Sequence, residues 1–368
     1  KGLGLGEHFF QIYGGNSWLA NPVATNTTIM TLNRDASGAG GMLVNDSASR
    51  TITAVPNGVI VIGPNGGTIA ATTNTTLTLP QAMALGTNAL TIGSAESIDG
   101  LPPRLGTVTL NAALGYNTAS TGSTITVIQG ATLSNGANAV PDPADLIVNG
   151  TFTLGAAETI GSLSGSGTVA LGTSALTVGR NDKSTTFSGA LAGTTGGFTK
   201  TGAGRLDLTG STNTMAYAGG ITVNGGILAL SGTGQLTNTG AAAFTLIDGG
   251  TFVLDNSVAD NTNRLTGPLP GITFQGGTFR FVGKDGTASG ESLGAAAFSG
   301  GASTIDVVNG AGGSCDVTFS AATVGAGTVN FTASGGTLGS VGNNPRVKFT
   351  GLAAGLLGYA TVNGSSPA

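Results

Sequence analysis

An all-β chain wound into a solenoid of short strands is the fold this sequence predicts, on three observations. A Gly-Thr-apolar unit recurs along its length, apolar and polar residues alternate in runs of four to six, and helix signals are nearly absent. The unit stands at Gly67-Thr-Ile, Gly106-Thr-Val-Thr-Leu110, Gly150-Thr-Phe-Thr-Leu154, Gly167-Thr-Val-Ala-Leu171, Gly250-Thr-Phe-Val-Leu254, Gly277-Thr-Phe-Arg-Phe281, Gly327-Thr-Val-Asn-Phe331 and Gly336-Thr-Leu. Apolar residues two apart share one face of a strand, so each unit reads as a short strand with one buried face. Similar runs, Ala89-Leu-Thr-Ile92, Ser123 to Ile128, Ala175-Leu-Thr-Val178, Arg205-Leu-Asp-Leu208, Gly226 to Leu230 and Asp316-Val-Thr-Phe319, lie between them, bounded by Gly, Asn, Asp or Ser. The Ala-rich pieces at Gly240–Phe244 and Gly294–Phe298 are too short for a stable helix.

Several intervals between units lie near multiples of about twenty residues, the size of one coil in a stacked repeat. No linker or composition break separates halves, which favours a solenoid over a pair of sandwiches. At roughly 20 residues per coil and about 4.8 Å per step, about 18 coils and a rod of roughly 85 Å are expected.

Composition narrows function. Glycine accounts for 66 of 368 residues and charged residues for 8%, against about 25% in ordinary domains. Thirteen Lys and Arg against seventeen Asp and Glu leave a net charge of −4, with no basic run to meet nucleic acid. The longest apolar stretches, such as Gly58–Gly63, fall far short of the roughly 18 residues of a membrane span. One Cys excludes an internal disulfide and a Cys-rich metal site. The chain opens at Lys1 without a leader, so any signal peptide is expected to have been removed or to lie outside it.

One stretch is more specific. Phe198-Thr-Lys-Thr-Gly-Ala-Gly204-Arg-Leu-Asp-Leu208-Thr-Gly210-Ser-Thr-Asn213, then Tyr217-Ala-Gly-Gly220-Ile-Thr-Val-Asn-Gly-Gly226-Ile-Leu-Ala-Leu230, closely resembles the passenger-associated (autotransporter-associated β-strand) repeat of bacterial autotransporter-type proteins. Two extra residues between Asn213 and Tyr217, and Ile221 in place of the usual Thr, depart from the pattern. Glu158–Leu171 resembles the stretch that precedes such a repeat, and Leu356–Asn363 an element that follows it, with Gly358 in place of Pro. The resemblance implies a right-handed parallel β-helix (β-solenoid) secreted to and displayed at a bacterial surface, and a chain that continues into further β-helix or meets neighbours at its ends. Residues 1–50 are assigned to an N-terminal capping or contact segment that could include the first coils, and 51–368 to the β-helix, with the repeat at about 198–230.

Parallel β-helices include polysaccharide lyases and hydrolases, which need paired carboxylates or a Ca²⁺ cluster with a basic proton acceptor. The nearest acid pairs, Glu96/Asp99, Asp142/Asp145 and Asp255/Asp260, sit beside turn residues and read as solvated turns. Arg346-Val-Lys348 resembles a piece of pectin hydrolases, but the accompanying motifs are missing, and a charged strand edge explains it better. His8 has no Ser or Asp at a diagnostic spacing. Cys315 alternates with Val317 and Phe319 and reads as a small buried hydrophobe. The Gly-rich pieces Gly2–Gly6 and Lys200–Gly204 lack the strand-loop-helix context of a phosphate cradle. No catalytic residue, cofactor or metal site is therefore assigned.

The cluster Phe9, Phe10, Tyr13 and Trp18 stands out in a chain with 1 Trp and 4 Tyr. It reads as a cap over an open solenoid end or as an assembly contact, with glycan stacking as a third option. A neutral Thr-rich surface makes end-to-end or lateral self-association plausible. The leading expectation is a non-enzymatic structural β-solenoid forming or extending an extracellular rod or fibre. The alternatives are an adhesin or glycan-binding passenger, whose loops at Asn256–Pro270 or Asn135–Asp145 would contact a surface glycan, and a polysaccharide lyase or hydrolase.

Overall fold

The computed structural model describes residues 9–12, 29–33, 41–45, 48–51, 59–80, 83–95, 102–111, 122–136, 139–211, 213–215, 220–238, 244–352, 357–364 and 366–367. It is a parallel β-solenoid, and no helix occurs among the described residues. The chain divides into two compact units, Lys1–Ser174 and Ala175–Ala368.

In the first unit, one sheet stacks Phe9–Ile12, Met42–Asn45, Gly67–Ala70, Ala89–Ile92, Thr124–Val127, Asp145–Val148 and Ser162–Ser164 in parallel. A second carries Arg50–Thr51, Thr76–Leu79, Thr107–Leu110, Thr132–Asn135, Thr151–Leu154 and Thr168–Gly172. A third holds Ile29–Leu32, Val59–Ile62 and Met83–Ala84. Register in the second sheet is set by the alternation itself. Leu77, Val108, Leu133, Phe152 and Val169 pair rung on rung and are fully buried. A one-residue slip would turn that column outward. On the outer face Thr76, Thr107, Thr132, Thr151 and Thr168 form a half-buried column, where β-branched neighbours support one another.

The Gly-Thr units owe their glycine to this stacking. A Cβ on Gly150 would run into the carbonyl oxygens of Ile128 and Ala131, and one on Gly167 into that of Gly150. Neither glycine has positive φ, so close approach of one coil's corner to the next sets the requirement. Seven of the eight units open strands; the eighth, Gly336-Thr-Leu, lies instead in the turn segment 335–344. That segment ends in a proline-led strand, Pro345–Phe349, and Thr337 donates its N–H to Asn344 Oδ1 within the loop.

The second unit changes the filling. Its longest sheet runs Thr185–Phe187, Arg205–Leu208, Gly226–Leu230, Gly250–Asp255, Thr278–Val282, Ala302–Val308, Thr328–Ser334 and Ala360–Val362 in parallel, and ends in antiparallel Ser366–Pro367. Facing it is a sheet with Leu176–Val178, Phe198–Thr201, Ile221–Asn224, Phe244–Ile247, Ile272–Gln275, Ala296–Gly300 and Ala322–Val324. Short strands Ala190–Gly193, Asn213–Met215, Leu236–Asn238 and Leu265–Thr266, and then Ala288–Leu293, Ser314–Phe319 and Pro345–Phe349, complete the coils. Phenylalanines stack inside: ring centroids lie 4.4 Å apart for Phe244–Phe252, 5.1 Å for Phe274–Phe298 and 5.3 Å for Phe319–Phe349. Each buried ring contributes roughly 1.5–3 kcal/mol by leaving water, with about 0.5–1.5 kcal/mol more per ring pair.

Coil length departs from the expected twenty. Leu146 pairs with Leu163, 17 residues on, and Leu90 with Ile125, 35 residues on. In the second unit Leu206 pairs with Leu228 and Phe252 with Phe279, 22 and 27 residues on. The chain therefore makes fewer coils than 18, because corner loops of variable length sit between strands of nearly constant length.

Candidate functional site

The extra length in the second unit collects at one corner. Four adjacent strands of the longest sheet are followed by loops of unequal size: nine residues from Asn256 to Arg264, five from Gly283 to Thr287, five from Asn309 to Gly313 and ten from Gly335 to Asn344. Insertions that fall repeatedly on one face of a solenoid commonly mark its binding face. Each loop is tied to the next. Lys284 Nζ donates to the Val258 carbonyl at 3.0 Å, Ala311 N to Asp285 Oδ1 at 2.7 Å, and Asn343 Nδ2 to the Gly312 carbonyl at 2.9 Å.

Buried polar side chains hold this wall from inside. Arg264 is fully buried and donates through Nε to Asn256 Oδ1 (2.5 Å), through Nη1 to the Gly234 carbonyl (2.7 Å), and through Nη2 to the carbonyls of Gly232, Asp255 and Ala259. Burial lowers its pKa, while Asp255, Glu291 and Asp260 oppose that shift. Glu291, from the next coil, accepts the Arg264 N–H at 2.9 Å; burial pushes it up to about 8, and its Oε1 has no hydrogen-bond partner. A neutral, protonated Glu291 at neutral pH follows. Asp260 Oδ1 takes Ser289 Oγ at 2.5 Å, and Asn309 Nδ2 reaches the carbonyls of Gly313, Gly335 and Asn343.

The first unit uses the same device with opposite polarity. Glu158 Oε2 accepts from Asn135 Nδ2 (2.9 Å), Ala139 N (2.9 Å) and Val140 N (3.1 Å), so a buried carboxylate pins the Asn135–Asp145 connection. Burial raises Glu158 to about 7 despite these donors. In the repeat stretch, Lys200 is buried and donates to the Thr201 and Gly202 carbonyls; burial lowers it to about 8, against the pull of Asp182. These anchors escaped the sequence reading, which placed acids on turns and surfaces. Alternation carried a signal: Lys200 sits two residues after Phe198, and Glu291 two before Leu293, both on inward positions.

The acid pairs do not converge on a reacting centre. Asp255 Oδ1 accepts from Ser257 and its Oδ2 faces Arg205, whereas Asp260 turns to Ser289 and Asn256. Asp145 takes Ser162 Oγ, and Asp142 lies in the preceding turn. Arg346 and Lys348 point out of their strand and both bind Asp316 on the neighbouring strand. Burial of Asp316 is outweighed by these two donors, which hold its carboxyl below the usual range. Cys315 is fully buried beside Val317 and Phe319, and burial raises its thiol to about 11, far from a reactive thiolate. Among the described residues no group of three or more His, Cys, Asp or Glu gathers as a metal site, and no helix is long and apolar enough to cross a membrane. Phe9 and Phe10 belong to a coil strand whose backbone pairs with Met42 and Leu43. Tyr13, Trp18, His8, Glu96 and Asp99 lie outside the described residues. The Asn256–Pro270 segment is corrected in extent: strand Leu265–Thr266 interrupts it, so the projecting part is Asn256–Arg264.

Residues 198–230 match the passenger-associated-transport-repeat. The chain resembles an autotransporter passenger. In the structure this repeat runs from one coil to the equivalent strands of the next, with Phe198 pairing Ile221 and Leu206 pairing Leu228. The adhesin BmaC autotransporter of Brucella suis biovar 1 (strain 1330) is 36% identical over 156 residues, which cover 39% of this chain and 4% of that protein. The chain thus spans a small fraction of the curated relative it matches. No solved structure matches. Repeat and relative together point to an extracellular, cell-surface protein.

Proposed function

We propose that this chain is a non-enzymatic β-solenoid segment of a secreted surface passenger, which forms or extends an extracellular rod or fibre. The observation that supports it most is the use made of buried charge. Arg264, Glu158 and Lys200 each spend most of their hydrogen bonds on backbone of their own or a neighbouring coil, and the rest on Asn256 and Asn135 side chains, so they serve the stack. Residues 1–50 are proposed as the capping or contact segment, with Phe9, Phe10, Tyr13 and Trp18 as its assembly surface. The purified chain, imaged for filaments and followed by light scattering, tests this: Trp18→Ala is expected to reduce assembly, and unchanged assembly removes the contact. Comparing the native protein's mass with 35.5 kDa separates a subunit from a segment.

The second reading is adhesion, favoured by the corner loops and by the name of the relative. Its measure is ligand binding that exchange of the Asn256–Arg264 loop abolishes. Sugar-chain cleavage that depends on a single Asp would replace both readings with an enzyme.

A further inference from the structure

We propose that the outer face of the second sheet of the first unit binds the surface of ice, a function that depends on neither reading above. The column from Thr76 to Thr168 has a twin two residues further along the strands: Thr51, Thr78, Thr109, Ser134 and Thr153. Both columns keep their register from rung to rung without a shift. Every one of these positions carries a hydroxyl, and among the described residues none of these hydroxyls is taken up by another protein group. In the second unit, by contrast, Thr266 donates to Thr237 and Thr361 to Asn330 across rungs. The outward positions of the five strands from Thr76–Leu79 to Thr168–Gly172 hold no charged residue and no aromatic ring.

The spacing selects the ligand. In ice each water oxygen is hydrogen-bonded tetrahedrally, and at an O–H···O distance of about 2.75 Å two oxygens that share a neighbour lie about 4.5 Å apart. Rungs of a sheet lie about 4.8 Å apart, so the hydroxyls down each column repeat at nearly that interval. Over the four steps from Thr76 to Thr168 the misfit grows to about 1.2 Å, less than half a hydrogen-bond length. Two columns about 6.7 Å apart hold water in two directions rather than in a single row. Threonine is stiff at χ1, so its hydroxyl is placed before water arrives and little ordering cost remains. The strand preference of threonine produces only single columns elsewhere. Thr199, Thr222, Thr245 and Thr273 stack in the second unit, but two residues on stand Thr201, Asn224, Ile247 and Gln275.

The test grows ice slowly from a dilute solution of the purified, fluorescently labelled chain and measures the protein in the ice against that left in the liquid, with inhibition of ice recrystallisation read in parallel. Wild type is compared with Thr109→Lys/Thr132→Lys, which places two long side chains in the middle of the array, and with Thr222→Lys/Thr245→Lys on the single column. Wild type and the single-column variant are expected to enter the ice, and Thr109→Lys/Thr132→Lys to enter it roughly tenfold less. If the lysines disturb folding, Thr107→Val/Thr109→Val/Thr132→Val/Thr151→Val keeps the β-branched shape and is expected to lose the ice as well, because the hydroxyls are gone. Exclusion of wild type from ice, equal entry of the array variants, or loss of entry in the single-column variant would each overturn the proposal. So would binding to insoluble cellulose or chitin that the array variants abolish, or a dimer that they dissolve. The rod and adhesion readings are scored by filament imaging and loop exchange, so they stand or fall separately.

Discussion

Replacing Arg264 by Met keeps an unbranched stem of similar reach and removes all five donated hydrogen bonds. The acceptors left behind are Asn256 Oδ1 and the carbonyls of Gly234, Gly232, Asp255 and Ala259. A buried acceptor without a partner costs about 1–3 kcal/mol, so five would cost more than most domains can lose. Three of them, at Gly232, Asp255 and Ala259, lie in partly buried bonds, and the freed loop can turn them to water. The remaining pair, Asn256 Oδ1 and the Gly234 carbonyl, lies in buried bonds and sets an expected loss of about 2–6 kcal/mol. A stacked coil protein can open locally, so the assay is hydrogen–deuterium exchange with denaturant titration. Exchange should accelerate at 232–236 and 256–265 while the first unit keeps its protection. Unchanged exchange in those segments, with a stability change under about 1 kcal/mol, would refute the anchoring role of Arg264.

Glu158 gives a pH signature. Its folded value of about 7 exceeds the ordinary 4.5, so the folded chain keeps a proton that the unfolded chain has released. This contribution is full below about 4.5 and is lost as pH rises to about 7, by up to roughly 3 kcal/mol; in Glu158→Gln the slope of chemical stability against pH should flatten over that window. Phe279→Ala empties a fully buried site between Phe252 and Phe319 and should cost about 3–5 kcal/mol in denaturant unfolding. Gly150→Ala drives a methyl against the Ile128 and Ala131 carbonyls; a loss of about 1–3 kcal/mol is expected, and a neutral result would mean that the coils can separate at that corner.

Strands were legible because their signal is local. A run such as Thr107-Val-Thr-Leu110 shows its buried face by alternation alone, and seven of eight Gly-Thr units became strands. Gly336-Thr-Leu was not legible, since nothing in three residues reveals that Asn344 would cap a loop there. Coil length was misjudged because loops of five and ten residues share one corner, and loop length leaves no periodic mark. The anchors were missed for a different reason. Arg264 gathers acceptors from Gly232 to Ala259, and only the stacking of coils brings those together. The repeat at 198–230, by contrast, was readable from its fixed spacings, because each marks a strand, a turn or a close approach within one coil.

The pairing intervals described for the coils also bear on the order of folding. Each strand's partner lies one coil away, 17 to 35 residues in the pairs quoted, and the Arg264 and Glu158 bonds reach no further than the neighbouring coil. A finished coil therefore presents a complete template for the next, and closing it needs only a short loop. A chain of this design can build from a folded end as successive segments become available, with each loop on the corner wall locked when the coil behind it arrives.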